Sequence, residues 1–176
     1  MIAFEKLIAL FDLGEATVWP VRRPTAESIG AINRHFGVSL PPLLIKLAQQ
    51  SERFGAHFAS LGDDFENDFH IIRVNRLFAS KRRRTPQGWR RAKPEYLLVF
   101  NHGHDDDCDC LDLRSWNPES GDYRVRYWTP SDRERAPVPD HSWLSFHAYF
   151  EHLALPDLAR LRGERREQVM AILRTE

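Results

Sequence analysis

The chain has 176 residues, with 25 Lys plus Arg against 25 Asp plus Glu and a formal net charge of zero. That balance excludes a globally basic nucleic-acid binder and an acidic tail protein. Hydrophobic residues at 42% and aromatics at 11% exclude a disordered chain.

The first stretch, MIAFEKLIALFDLG, carries acids and no cleavage site, so it reads as an amphipathic helix over 2–13 and not as a signal peptide. Phe4, Leu7, Ile8 and Phe11 form its apolar stripe and Gly14 ends it. Thr25 caps a second helix, with Glu27 in its first turn, Ile29, Ile32 and Phe36 on its inner face, and Gly37 as its left-handed C-terminal residue. In GVSLPPLLIKLAQQS, Ser39 is the expected N-cap. The two prolines suit a first helical turn, and Leu43, Leu44 and Leu47 face the core. FGAHFASLGDDF fits a loop or a short strand. Ile71, Val74, Leu77 and Phe78 recur at helical spacing.

KRRRTPQGWRRAKP reads as an exposed loop. YLLVF (96–100) is continuous and apolar, the pattern of a central strand. CDCLDL (108–113) alternates, with Cys108, Cys110 and Asp112 on one face. YRVRYW (123–128) places Tyr123, Val125 and Tyr127 opposite Arg124, Arg126 and Trp128. NPESGD makes the hairpin-type connection between these two strands. Ser145 caps a helix bearing Phe146, Tyr149, Phe150 and Leu153, which Pro156 stops. A terminal helix over 163–174 carries Val169, Ile172 and Leu173. Helices, then a strand meander, then helices predict a single-domain α+β fold, a mainly antiparallel central sheet packed against N- and C-terminal helices. Cys108 and Cys110 are too close in sequence to bridge easily, and no apolar run reaches the ~18 residues of a membrane span. A cytoplasmic, disulfide-free protein with no membrane partner is therefore expected.

The order of motifs resembles a known family. FGVSLPPLL follows an amphipathic helix. FASLGDDFENDFHIIRVN comes next, then YLLVFNHGHDDDCDCLDL, in which an apolar strand runs into an acidic turn. VRYW and the helix opening SFHAYFEHL complete the series. Over about residues 24–154 this is similar to the SUKH superfamily, the group that includes the Smi/Knr-type cell-wall assembly regulators. Leu43 and Leu44 stand where that family usually shows an aromatic, and the basic segment 81–93 is unusually long. The resemblance implies a non-catalytic protein-binding domain. In bacteria such domains serve as immunity proteins that neutralise a cognate toxin by stoichiometric binding; the alternative is a regulatory scaffold without a toxin partner.

Candidate chemistry concentrates in two segments of opposite charge. Asp105, Asp107 and Asp109 match the first positions of a calcium loop, but Cys110 replaces its glycine and Trp116 its bidentate glutamate. His102, His104, Cys108 and Cys110 lack zinc-finger spacing. No metal and no cofactor is expected, and a metal-dependent hydrolase using this cluster is the lesser alternative. His147, Glu151 and His152 miss a zinc-motif spacing by one residue and read as helix polars.

An immunity protein against a nuclease presents acidic surface to a basic groove. Asp63, Asp64, Glu66 and Asp68, with Asp105, Asp106 and Asp107, are thus the expected partner contacts, and Trp116 is an aromatic anchor. Arg82, Arg83, Arg84, Trp89, Arg90 and Arg91 form a second possible contact surface. A protein is the expected partner there, ahead of nucleic acid, because no nucleic-acid motif accompanies them. The neutrality of the chain is a cancellation. Charged residues are all basic from Phe69 to Pro94 and all acidic from Asn101 to Leu113. The two segments either latch together or present surfaces of opposite sign.

Overall fold

Ala3, Thr25, Pro41, His70 and Ser145 each stand immediately before a helix, and the chain's apolar stripes begin just after them. The computed structural model describes residues 2–14, 22–85, 88–91, 93–102, 107–128, 142–155 and 162–174. The helices are α1 (Phe4–Asp12), α2 (Ala26–Phe36), α3 (Pro42–Gln50), the single turn α4 (Phe54–His57), α5 (Ile71–Ser80), α6 (Phe146–Ala154) and α7 (Gly163–Arg174). The strands are β1 (Arg82–Thr85), β2 (Gly88–Arg91), β3 (Leu97–His102), β4 (Cys108–Asp112), β5 (Val125–Trp128) and β6 (Ser142–Trp143). An antiparallel sheet of order β3-β4-β5-β6 packs against helices, and β1 and β2 form a separate two-stranded ribbon. The predicted α+β architecture is the one observed.

Local chemistry explains most boundaries. Thr25 Oγ1 accepts from the Ser28 N–H at 3.1 Å, and the Thr25 N–H donates to Ser28 Oγ at 3.0 Å. These reciprocal bonds satisfy two donors at the start of α2. Gly37 closes that helix at φ 67°, a conformation that glycine adopts without strain. Gly14 has a different reason to lack a side chain: a Cβ there would fall 1.9 Å from the Arg53 guanidinium, which reaches across to the Phe11 carbonyl at the end of α1. Ser39 is not the cap of α3. Pro41 holds that position with no side-chain cap, and Pro42, at the first helical position, needs no partner for a missing N–H.

The sheet is covered on both faces. By register, Leu98, Leu111 and Val125 share the face toward α6, where Phe100 meets Phe146 edge-on at 5.6 Å. Val99, Cys108, Cys110 and Trp128 share the other face, where Trp128 meets Phe78 of α5 at 5.9 Å. Cys108, Cys110 and Asp112 therefore do lie on one side of β4. Trp128 keeps its predicted side of β5, with Arg126, and is buried there because α5 packs over it. The main core, between sheet and helices, is an aromatic chain: Phe54 stacks on Phe58 at 5.0 Å, Phe11 meets Phe150 at 5.3 Å, and Phe4 meets Phe150 at 5.2 Å.

Three further expectations need correction. YLLVF is an edge strand, not a central one. It is fully apolar because its outer edge is occupied. The Asn75 side chain of α5 accepts from the Val99 N–H (2.9 Å) and donates to its carbonyl (2.7 Å), and the Ala59 N–H donates to the Phe100 carbonyl (2.8 Å). Leu77 is exposed, whereas Ile71, Val74, Asn75 and Phe78 make the buried stripe of α5. A polar residue takes the slot that hydrophobicity alone would give to Leu77. The 81–93 segment is not a loop: Arg82–Thr85 and Gly88–Arg91 pair as a hairpin, and Lys93 is buried with its ammonium on the Leu97 and Pro94 carbonyls.

Candidate protein-binding surface

The segment FASLGDDFENDFH is built around two backbone anchors. Ser60 and His70 form a parallel bridge, the Ser60 N–H donating to the Phe69 carbonyl (2.9 Å) and the Ile71 N–H to the Ser60 carbonyl (3.0 Å). His70, fully buried, accepts from the Ile72 N–H on Nδ1 and so caps α5. Its Nε2–H then donates to the Gly62 carbonyl at 3.3 Å. Burial pushes this imidazole below its ordinary pKa, with the Gly62 bond opposing, so it serves as a neutral clamp. The chain between the anchors, residues 62–69, is held out beside α5.

That loop carries the predicted acids, and the structure gives each a partner. Asp63 pairs with Arg22 at 3.2 Å. Asp64 accepts from Ser60 Oγ and Asn67 Nδ2, both at 2.8 Å. Glu66 and Asp68 flank Arg73 of α5, each at 3.1 Å. Exposed pairs of this kind add roughly 0–1 kcal/mol each, so they shape the surface more than they stabilise it.

Beside these pairs lies a groove of about 670 Å³ lined by Phe65, Glu66, Asp68, Arg73, Arg76 and Leu77. Phe65 is 39% exposed and Leu77 58%, and Phe69 is exposed as well. Sequence reasoning named the acids of this groove and missed its apolar floor and its arginines. The available signal was the buried stripe of α5: once Asn75 is assigned to the core, positions 73, 76 and 77 must turn outward.

The other predicted residues lie elsewhere. Trp116 is exposed, rests on Tyr123 at 4.8 Å after the 3₁₀ turn Leu113–Ser115, and does not line the groove. Asp105 and Asp106, like His104, lie outside the described residues, and with them the choice between a latch and two surfaces of opposite sign. Asp107 stands half-buried just before β4. Arg82, Arg83, Arg84, Trp89, Arg90 and Arg91 sit in the ribbon, with Arg82 opposite Arg91, Arg83 opposite Arg90 and Arg84 opposite Trp89.

Among the described residues, no group of three His, Cys, Asp or Glu is placed to hold a metal ion. Cys110 is fully buried, and burial first, then Cys108, holds its thiol well above the ordinary value, so it is not a ready nucleophile. His147 hydrogen-bonds the Ile2 carbonyl at 3.2 Å and meets Phe4 edge-on, which ties α6 to the N-terminus. His152 is exposed beside Trp143.

One polar cluster was not foreseen. A register shift in β3 between Val99 and Asn101 re-aims Asn101 toward α6. Its Nδ2 donates to Asp109 Oδ2 (2.8 Å) and to Tyr149 Oη (3.0 Å), and the Tyr149 hydroxyl donates to the same carboxylate (2.7 Å). Burial pushes the Asp109 carboxyl above the ordinary aspartate range, with the Tyr149 and Asn101 bonds opposing. A folded-state pKa above the unfolded one means that the folded chain holds this proton more tightly. The resulting stabilisation is complete below the unfolded pKa and is lost as pH rises through the folded one. Asp109→Asn removes that loss. The variant's Tm relative to wild type should therefore rise from acid to neutral pH; a relative Tm that falls over the same range would show a carboxylate favoured by folding.

Among the described residues no helix is long and apolar enough to cross a membrane. Comparison with known protein families and with curated proteins gives no match. Among solved structures, a protein from Pseudomonas syringae pv. tomato is similar, with a TM-score of 0.51 at 13% identity, over 82% of this chain and 92% of that one. At that identity the likeness is one of fold alone, over most of this chain and nearly all of that one.

Proposed function

We propose that this chain is a non-catalytic protein-binding domain of the SUKH type, acting in the cytoplasm as an immunity protein that neutralises a cognate toxin by stoichiometric binding. The observation that carries the reading is the groove beside α5. Phe65 and Leu77 expose apolar surface, rimmed by Glu66, Asp68, Arg73 and Arg76. Apolar surface ringed by charge is characteristic of a protein contact. Four of the seven acids expected to meet the partner, Asp63, Asp64, Glu66 and Asp68, stand on or next to this groove, where ion pairs hold three of them and hydrogen bonds from Ser60 and Asn67 hold Asp64. The motif order that resembles the SUKH superfamily supplies the toxin-neutralising role.

The test is co-expression with the product of the adjacent gene, followed by affinity capture and a growth-protection assay. Leu77→Glu and Phe65→Ser should each weaken capture by about tenfold or more. Leu77 is 58% exposed, so Leu77→Glu should leave stability within about 0.5 kcal/mol of wild type. Phe65→Ser also loses the ring contact with His70 at 4.9 Å and should cost about 0.5–1.5 kcal/mol more, so its capture is read at a temperature where it stays folded. Capture and protection unaffected by both substitutions would rule this surface out.

A further inference from the structure

Helix α7 turns one side to the rest of the protein. Val169 is buried, Ile172 and Leu173 are half-buried, and the Lys6 ammonium of α1 donates to the Leu173 carbonyl at 3.4 Å. At about 100° per residue, the opposite side carries Glu167, Met170, Ala171 and Arg174, the i, i+3, i+4, i+7 spacing of one stripe. With Arg166 these residues line a shallow hollow of about 370 Å³. Glu167, Ala171 and Arg174 are exposed, and Met170 is partly so. Glu164 of the first turn is bonded by Gln168 at 3.3 Å, whereas among the described residues Glu167 and Arg174 have no ion pair.

This stripe is complementary to itself. Its acid and its base lie seven residues apart, on either side of a small apolar centre. A two-fold axis through the point between Met170 and Ala171 sets a second copy of the helix antiparallel to the first. Glu167 then faces Arg174 of the second copy, twice by symmetry, and Met170 meets Ala171. A parallel pairing in register would set glutamate against glutamate and arginine against arginine, so the charges select the antiparallel one.

We propose that the outer face of α7 is the interface of a weak two-fold dimer of this chain. Antiparallel helices place opposite ends of their dipoles side by side. The unbranched Met170 can fill the hollow beside Ala171, whose small side chain admits a close approach. One helix face buries less than the ~800 Å² per partner of a standard interface, so the association is weak and reversible. α7 packs on α1, which packs on α6, whereas the groove beside α5 lies across the sheet. The dimer therefore leaves that groove open in both copies, and its existence does not depend on what the groove binds.

Sedimentation equilibrium of the full chain from about 5 to about 500 μM covers the affinities expected of so small an interface. The average mass should rise from monomer toward dimer, and less steeply as salt is added. Glu167→Arg and Arg174→Glu should each weaken dimerisation by about tenfold or more, with Tm little changed because both positions are exposed. The double variant Glu167→Arg/Arg174→Glu exchanges the two charges and should restore the dimer. A monomeric mass at every concentration overturns the inference. So does a dimer that survives both single reversals, or one that the double variant fails to restore.

Discussion

Asn75→Leu should destabilise the protein by roughly 2–4 kcal/mol, because it strips both hydrogen-bond partners from one residue of a buried strand edge. Asn75 accepts from the Val99 N–H and donates to the Val99 carbonyl, and it also donates to the Ile71 carbonyl within its own helix (2.9 Å). Leucine has the same branching and number of side-chain heavy atoms and suits a helix, so the change removes the amide's hydrogen bonds while adding only the bulk of its methyl groups. For a chain of this size the drop corresponds to roughly 5–15 °C in Tm. Asn75→Asp sharpens the test. When ionised, it can accept from the Val99 N–H but sets a charge against two carbonyls, so it should be more damaging at neutral pH than in acid, where the protonated group can donate. Urea denaturation gives the free energies, and hydrogen exchange should show faster opening at the Val99 amide in the leucine variant. A leucine variant within about 0.5 kcal/mol of wild type would mean that the edge is satisfied by other means.

Phe58→Ala should cost about 3–5 kcal/mol, the range for emptying a buried aromatic site. Phe58 joins elements distant in sequence. Its ring lies 5.0 Å from Phe54, 5.9 Å from Phe11 of α1, 6.1 Å from Phe100 of β3, and 6.5 Å from both Phe146 and Phe150 of α6. Four parts of the fold would line the resulting cavity, and a void with so many walls collapses poorly. Phe58→Leu keeps much of the volume and should lose clearly less, which separates cavity formation from ring–ring attraction worth about 0.5–1.5 kcal/mol per pair. Against total stabilities of about 5–15 kcal/mol, the alanine variant would have little reserve. A loss under about 1 kcal/mol would contradict the hub role.

The helices were readable because their signals are local. The Thr25 cap, the glycine after Phe36, the 4–7–8–11 stripe of α1 and the Ser145 cap each depend on residues within a turn or two, and all appear as expected. Apart from the Ser39 cap, displaced locally by Pro41, the main errors came where a distant group decides the outcome. The apolar run 97–100 is as consistent with an edge strand as with a central one when a helix supplies an asparagine to its open side. Leu77 and Asn75 exchange their expected places for the same reason: the hydrogen bond that draws Asn75 inward ends 24 residues away. The arginines of 82–91 suggested a loop by composition, yet strand pairing tolerates them. At the candidate surface the acids of 63–68 were legible as a cluster. Their ion pairs and the groove between them were not, because Arg22 and Arg73 enter from other elements.

The blocked edge of β3 has a consequence for assembly. At the opposite end of the four-stranded sheet, β6 is only two residues long. One border is plugged by a side chain and a neighbouring backbone segment, and among the described residues the other is too short to template a new strand. The sheet is thereby protected from edge-to-edge polymerisation and from lengthening by a captured strand. Recognition at the flank of this sheet then goes through side-chain surfaces such as the groove beside α5, and such surfaces can be rewritten residue by residue to follow a changing partner while the scaffold beneath them stays the same.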